Sequence, residues 1–438
     1  MRSGLVLTIL FLGAAWALVH PWVGVLLWTW ISLMNPHQLT WGAEDFPVAA
    51  VAGGATLVGL ILSKDKKNFF LSAPSVVLIL FMLWMCITYL FSFFPEKSTE
   101  MLTRVLKIDF MILVALVLLH SKQHIFSLVW VLVLSLGFYG VKGGIFTLAT
   151  GGGYHVNGPP TSFIGGNNEI ALALIMIVPF MHFLRDQARK TWQRHAWLLA
   201  MALTSIAVIG SQSRGALLGV VAMLALFWIR ARQKLLFGIL IVLGGILLFT
   251  FMPESWHERM DTIKTYQQDS SAMGRINAWW MAWNLATHNL FGGGFSIYTS
   301  DVFARYAPNP LDVHAAHSIY FQVLGEHGFV GLGLYLTLWG LIWSSAGWLR
   351  KNATGNPETE WAAVLGSMCQ VSLIGYAVGG AFLGLAYFDL PYDILVLVVL
   401  ARRLVEAHRN NKEAANPESG REGLPLAKVT RILPGRSG

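Results

Sequence analysis

Long apolar runs separated by short polar intervals fill almost the whole chain. Runs long enough to cross a bilayer as a helix, about 17–25 residues, fall near 4–35, 47–62, 74–94, 104–119, 126–148, 168–184, 196–210, 215–229, 235–252, 316–348, 361–384 and 390–403. The first is interrupted at His20-Pro21 and reads as one broken span or two short ones. The pattern predicts an all-α, polytopic integral membrane protein with about twelve transmembrane helices. Its polar intervals alternate in kind. "KDKK" (64–67), "RDQARKTWQR" (185–194), "RARQK" (230–234), "LRK" (349–351) and "ARR" (401–403) fall on one side, which the positive-inside rule makes cytoplasmic. The intervals at 95–100, 150–167, 211–215 and 253–315 fall on the other, so the long loops are extracytoplasmic. Residues 1–403 form the transmembrane domain, with loop 253–315 included. The polar segment 404–438 is expected to be a disordered cytoplasmic tail.

The loop 253–315 carries a pattern of its own. In "SSAMGRINAWWMAWNLATHN", Ser270 and Ser271 are candidate N-caps. Ile276, Trp279, Trp280 and Trp283 follow at i, i+3, i+4 and i+7, the spacing of one helix face. Three tryptophans on that face predict a helix lying in the membrane interface, and "FGGGF" then breaks it. Such a loop is a natural place for a site that receives a lipid-borne substrate.

Composition agrees with the pattern and narrows it. The 438 residues are 55% hydrophobic and only 12% charged, against roughly a quarter charged in a soluble domain. The net charge of +8 lies in dispersed short loops, so it reads as membrane orientation and not as a nucleic-acid surface. Cys86 and Cys369 sit inside apolar segments, which argues against a disulfide framework or a thiolate metal site. The start "MRSGLVLTILFLGAAWA" imitates a signal peptide but continues into more apolar sequence, and so reads as an uncleaved first span. No internal repeat is visible, which weakens an inverted-repeat transporter reading.

Charges are costly in a membrane, so misplaced ones carry the most information. Arg214 in "SQSRGALLGV" stands at the junction of two spans, on the side that the positive-inside rule leaves bare. It can snorkel to lipid phosphates. Flanked by Ser213 and Gly215, it can also hold a phosphate or diphosphate bidentately. Lys142 in "GFYGVKGGIF", and Lys107 with Arg104, are cations at or near membrane depth that could complete a pocket for an anionic headgroup, although Lys107 can equally pair with Asp109. Arg275 lies near the membrane plane on the long loop and could reach the phosphate held by Arg214.

"HAAHSIYFQVLGEHGFVG" (314–331) concentrates three histidines and a glutamate. On a straight helix beginning near Ala315, His317 and His327 are ~15 Å apart along the axis, too far to share a metal, and Glu326 rotates to the face opposite His317. No H-E-x-x-H motif and no second His/Cys cluster is present, so no metal is assigned. His317 begins a span on the same side as Arg214, and a neutral imidazole there can take a proton from an acceptor hydroxyl. Cations can stabilise a diphosphate leaving group without protonating it. Together these residues define displacement of a glycan from a lipid diphosphate.

At these residues the chain resembles the O-antigen ligase and polymerase superfamily of bacterial membrane glycosyltransferases. The resemblance rests on "SQSRGALLG" (211–219), "GRINAWWMAWNLATHNLFGGGFSIY" (274–298) and "HAAHSIYFQVLGEHGFVGLGLYL" (314–336). "SLMNPHQLTWG" (32–42) and "YGVKGGIFTLATGGGYHVNGPPTSFIGGNNEIALALIMIVP" (139–179) are similar to the branch described as O-glycosylation ligases associated with exosortase A systems. The resemblance implies an undecaprenyl-diphosphate-linked glycan donor and an acceptor that is lipid, protein or polysaccharide. It implies an inverting, metal-independent transfer without a cofactor, at the periplasmic face of the bacterial inner membrane. Carried over by motif, His317 and Arg214 are catalytic, Arg214 and Arg275 hold the diphosphate, and Glu326 matches the Glu of a Glu-x-Gly element. Ser318 stands where many members have Asn, which puts any role of that amide in doubt. Lys142 is a further diphosphate contact, and Asn167, Asn168, His314 and Glu326 are pocket candidates. A polymerase that extends the lipid-linked chain is the alternative within the superfamily. A non-enzymatic transporter of lipid-linked glycan is the alternative outside it, disfavoured because the notable charges gather toward one face.

Overall fold

A computed structural model describes residues 2–68, 71–231, 233–254, 256–257 and 270–415, and every regular element among them is helical. Near the N-terminus, α1 (Arg2–Val19) and α2 (Pro21–Met34) are separate helices split at His20-Pro21, because proline is suited to the first turn of a helix but not to its interior. They are followed by α3 (Val48–Leu62), α4 (Ala73–Leu90), α5 (Pro95–Leu118), α6 (Lys122–Ala149), α7 (Asn167–Asp186), α8 (Thr191–Gly210), α9 (Arg214–Arg230) and α10 (Lys234–Phe251). The second half holds α11 (Ser270–His288), α12 (Ser300–Tyr306), α13 (Ile319–Asn352), α14 (Glu360–Gly379) and α15 (Asp389–Ala415). Every apolar run read from the sequence carries a helix, and the first carries two. Seven of the described helices are individually long and apolar enough to span a bilayer, and α2 and α3 are shorter apolar helices. The chain is an all-α, multi-pass membrane protein.

The centre is formed by α7 and α15, which are enclosed on all sides. Every residue from Ile170 to Ile177 on α7 is buried, and so is every residue from Ile394 to Ala401 on α15. Burial without a 3.6-residue period is the pattern of a helix surrounded by others. Around this pair, α6 and α8 pack closely because α6 presents glycines to its neighbour. A Cβ on Gly144 would lie 2.1 Å from the carbonyl oxygen of Leu203, so the two backbones meet where no side chain fits. The helices α1, α2 and α3 form a smaller apolar cluster at one edge, with Leu10, Leu27, Ile31 and Ala52 at its centre.

Helix ends sort onto two faces. On the basic face, His20 Nδ1 lies 2.9 Å from Asp65 Oδ2, tying the α1–α2 turn to the "KDKK" interval. There too Arg230 donates to Gln370 Oε1 at 2.8 Å, and Arg409 donates to Asn352 Oδ1 at 2.8 Å. The opposite face collects residues 35–47, 91–94, 150–166, 211–213, 289–318 and 380–388, and is called the loop face below. α15 runs on to Ala415 on the basic side, past the boundary expected at 403. Its extension is held by Arg402 on Glu406 at 2.7 Å and by His408, which lies 3.0 Å from Asn356. The remainder of the expected tail, 416–438, lies outside the described residues, as does 258–269 of the long loop.

The span expected at 316–348 as one straight helix differs in two ways. It starts at Ile319, and it is broken at Gly328, whose φ of 67° and ψ of −171° are not helical. The break leaves main-chain carbonyls without helical partners, and the "GGG" of the preceding segment supplies them. Gly293 N–H donates to Gly325 O and Gly294 N–H to Glu326 O, both at 3.0 Å. Trp84 Nε1 donates to the carbonyl of His327 at 2.9 Å. A side chain on Gly292 would meet the Glu326 carbonyl group at 2.7 Å, so the strap needs glycine.

Candidate functional site

The site is built on the loop face from three helix beginnings. The first is α9. Ser213 caps it, its hydroxyl accepting from Ala216 N–H at 3.2 Å, and Arg214 is its first residue. The preceding Gln212 adopts a left-handed backbone with φ of 56°, which turns α8 sharply into α9. Gly215 lies against Phe382 and the end of α14, where a Cβ would approach Phe382 Cβ to 3.2 Å. The first-turn N–H groups of α9 beside Arg214 form a donor set suited to an anion.

The second is α7. Asn167 begins it and donates through Nδ2 to the carbonyl of Ser211 at 2.8 Å. The N-terminus of α7 is thereby fixed to the turn that carries Arg214. Asn168 is half-buried beside it. The loop before α7 grips the same turn: His155 Nε2 lies 2.9 Å from Gln212 Oε1, and Gln212 donates to Gly152 O at 3.1 Å.

The third is α13, whose approach carries the histidines. Here α11 acts as a template for the segment 307–318. Asn277 donates to Asn309 O at 2.8 Å and Asp312 O at 2.9 Å, and accepts from Asn309 N–H at 2.9 Å. Trp279 donates to Ala316 O at 2.7 Å and stacks on Phe321 with ring centroids 5.1 Å apart. The His314 ring lies on Gly274, where a Cβ would be 2.4 Å from its Nδ1, and that nitrogen is 2.8 Å from Asp312 Oδ1. His317 follows with φ of 43°, a costly conformation for a residue with a Cβ.

Arg275 follows Gly274 on α11, close enough to His317 and to Glu169 of α7 for its charge to act on both. Burial lowers the His317 pKa from its ordinary value, and Arg275 and then His314 lower it further. These causes all favour the neutral imidazole, the form that accepts a proton.

Other candidates fall elsewhere. Lys142 is exposed on α6, with Nζ 6.0 Å from the Phe138 ring. The glycines on α6 that pack against α8 lie on another face, so Lys142 points away from the Arg214 turn and is not brought to the site. Glu326 is buried and accepts from Tyr387 OH at 2.6 Å, and His327 Nδ1 is 2.8 Å from Thr88 Oγ1 within a cage of Phe81, Phe295 and Tyr387. Both hold helices together, well inside the fold. On α11, Trp280 and Trp283 are exposed but Trp279 is turned inward. The outward aromatic face is therefore narrower than the sequence period predicted. Sequence reasoning passed over Glu169 and His155. Glu169 had a signal in its place on the third residue of a helix next to the two asparagines; His155 had none.

Residues 199–336 match the family described as O-Antigen ligase. This segment takes in the Arg214 turn, α11 with Arg275, and the His317 approach to α13. That match supports grouping the chain with the O-antigen ligase superfamily over this segment. Residues 1–189 match a second family, described only as of unknown function. No curated protein matches the chain. The O-antigen ligase domain thus supplies the two arginines and the histidine, and the segment before it supplies Asn167, Glu169 and His155. The O-antigen ligase family implies lipid-linked glycan substrates, and the long apolar helices of this chain fit a multi-pass membrane protein.

Proposed function

We propose that the protein transfers a glycan from a polyprenyl-diphosphate donor, of the undecaprenyl class, to a hydroxyl acceptor on the loop face. His317 removes the proton of the acceptor hydroxyl. The acceptor oxygen bonds to the anomeric carbon from the side opposite the diphosphate, so the configuration inverts. The anomeric C–O bond breaks with its electron pair passing to the diphosphate, which Arg214, Arg275 and the first-turn amides of α9 stabilise. Asn167, Asn168 and His314 border the same region, and no metal or cofactor takes part in this scheme. Lys142 has no part in it, and Glu326 acts through the fold.

One juxtaposition carries the reading: a half-buried imidazole beside the Arg275 guanidinium, on a segment that α11 holds through Asn277 and Trp279. The basic intervals favour a cytoplasmic basic face and hence a periplasm-facing site in a bacterial inner membrane. The branch associated with exosortase A systems remains part of this proposal. The test is transfer from lipid-linked donor by purified protein, with His317→Ala beside the wild type. Product formation at the wild-type rate by His317→Ala removes the mechanism. Product analysis separates ligation from polymerisation, since a polymerase lengthens the lipid-bound glycan. Transfer in detergent, where no barrier exists, rules out pure transport.

A further inference from the structure

A cleft of about 530 Å³ opens at the loop face among α2, α5, the start of α15 and the loop before α7. It is lined by none of Arg214, Arg275 and His317. Its lining is mixed: Glu100, Arg104 and Lys107 come from α5, and Asp389 from the start of α15. The sequence suggested that Arg104 and Lys107 make a basic pocket for an anion, and the structure sets two carboxyl groups in the same lining. The lining instead offers donors and acceptors together, with flat aromatic surfaces between them. The Arg104 guanidinium sits 3.8 Å over the Phe163 ring, which holds it in place, and Trp28 lines the same space. The imidazole of His37, also in the lining, has a buried Nδ1 with no hydrogen-bond partner.

A saccharide has this combination of needs. Each hydroxyl both donates and accepts, and each ring has an apolar face that packs on an aromatic side chain. A pocket with aromatic walls and a few placed polar groups is the usual form of a small-molecule site. The cleft is also joined to the His317 region by two segments. The loop that contributes Ser162 and Phe163 to the cleft continues to Asn167, which is bound to Ser211. The segment that contributes Phe388 and Asp389 begins at Phe382, packed beside Trp279 and Gly215.

From this arrangement we infer that the cleft between α2, α5 and α15 binds the sugar portion of the acceptor, making the acceptor a glycan. This rests on the glycan-transfer reading for its place in the reaction, but its binding chemistry can be tested separately. The experiment is saturation-transfer NMR on the full chain in lipid nanodiscs. The probe is the oligosaccharide mixture released by mild acid from the envelope polysaccharide of the producing cell. Wild type and His317→Ala are expected to give equal saturation transfer. Thr103→Trp, which fills the cleft from an exposed helix position, is expected to weaken binding at least about tenfold. Glu100→Gln and Arg104→Gln are expected to weaken it in the same direction, so the inference does not hang on one bulky substitution, and thermal unfolding checks that each variant folds. No signal with wild type, undiminished signal with all three cleft variants, or full displacement by inorganic diphosphate would overturn it. Saccharide binding without any transfer would sink the glycan-transfer reading and leave the cleft standing; transfer without saccharide binding would do the reverse.

Discussion

Trp279 Nε1 donates a hydrogen bond at 2.7 Å to the main-chain carbonyl of Ala316, the residue before His317. The indole thus sets the position of the imidazole without touching the reaction. Trp279→Phe keeps the ring against Phe321 and removes only the donor. One such bond contributes about 1 kcal/mol, so the turnover number in the transfer assay is expected to fall by about five- to tenfold with little loss of thermal stability. Asn277→Ala removes three hydrogen bonds to the same segment, and should cost more in both readouts.

The pH profile should show His317 as a base with a lowered pKa. The neutral imidazole is the active form, and burial, Arg275 and His314 all move its protonation below the ordinary 6.5. Transfer should therefore hold as pH falls through 6.5 and decline only below it. Arg275→Gln takes away the second of these causes, so the acid limb of kcat/KM moves to higher pH as well as the rate dropping. For stability the sign is the same: a histidine that is harder to protonate folded than unfolded destabilises the fold as pH drops. A limb that stays in place in Arg275→Gln would separate that arginine from His317.

The left-handed backbone at His317 predicts a split between stability and activity. Both His317→Ala and His317→Gly lose the base. Glycine alone adopts a φ of 43° without the Cβ strain, which is about 1 kcal/mol. His317→Gly should therefore unfold at a higher temperature than His317→Ala, with transfer absent in both.

Glu326 and Tyr387 form a buried pair at 2.6 Å. Glu326→Ala leaves the Tyr387 hydroxyl without its acceptor and opens space in the interior, and should destabilise the protein by about 2–4 kcal/mol. Tyr387→Phe, which keeps the ring, should cost less. Neither is expected to move the acid limb of the transfer profile, which distinguishes a structural glutamate from a reacting one.

Lys142→Gln should leave transfer within about twofold of wild type, since the side chain is exposed beside Phe138 and away from the Arg214 turn. A tenfold loss in the same assay would place this lysine in the site after all.

The helices were legible because burial in lipid forces long apolar runs, and α11 followed from the helical period of its apolar residues. Arg214 and His317 stood out because each is polar at the edge of a span. What the sequence hid depends on contacts between distant segments. The break at Gly328 exists because Gly293 and Gly294 donate into it, and nothing in "EHGFVG" alone separates that from a tolerated helical glycine. The outward direction of Lys142 depends on which face of α6 meets α8. His155 became visible only through Gln212, and one of the carboxyl groups that share the cleft with Arg104 and Lys107 comes from α15, far along the chain.

The interruption of α13 has a practical meaning for anyone recombining this protein with its relatives. Hydropathy marks 319–352 as one unit, so a chimaera would ordinarily be joined at either end of it. The hydrogen bonds mark a joint inside it: the Gly325 and Glu326 carbonyls are held by the glycine strap, while beyond Gly328 Tyr335 bonds to Tyr376 of α14 and Ser345 accepts from Arg402 of α15. The natural crossover point lies inside the span, at Gly328, and a graft made there carries a whole working surface instead of half of one.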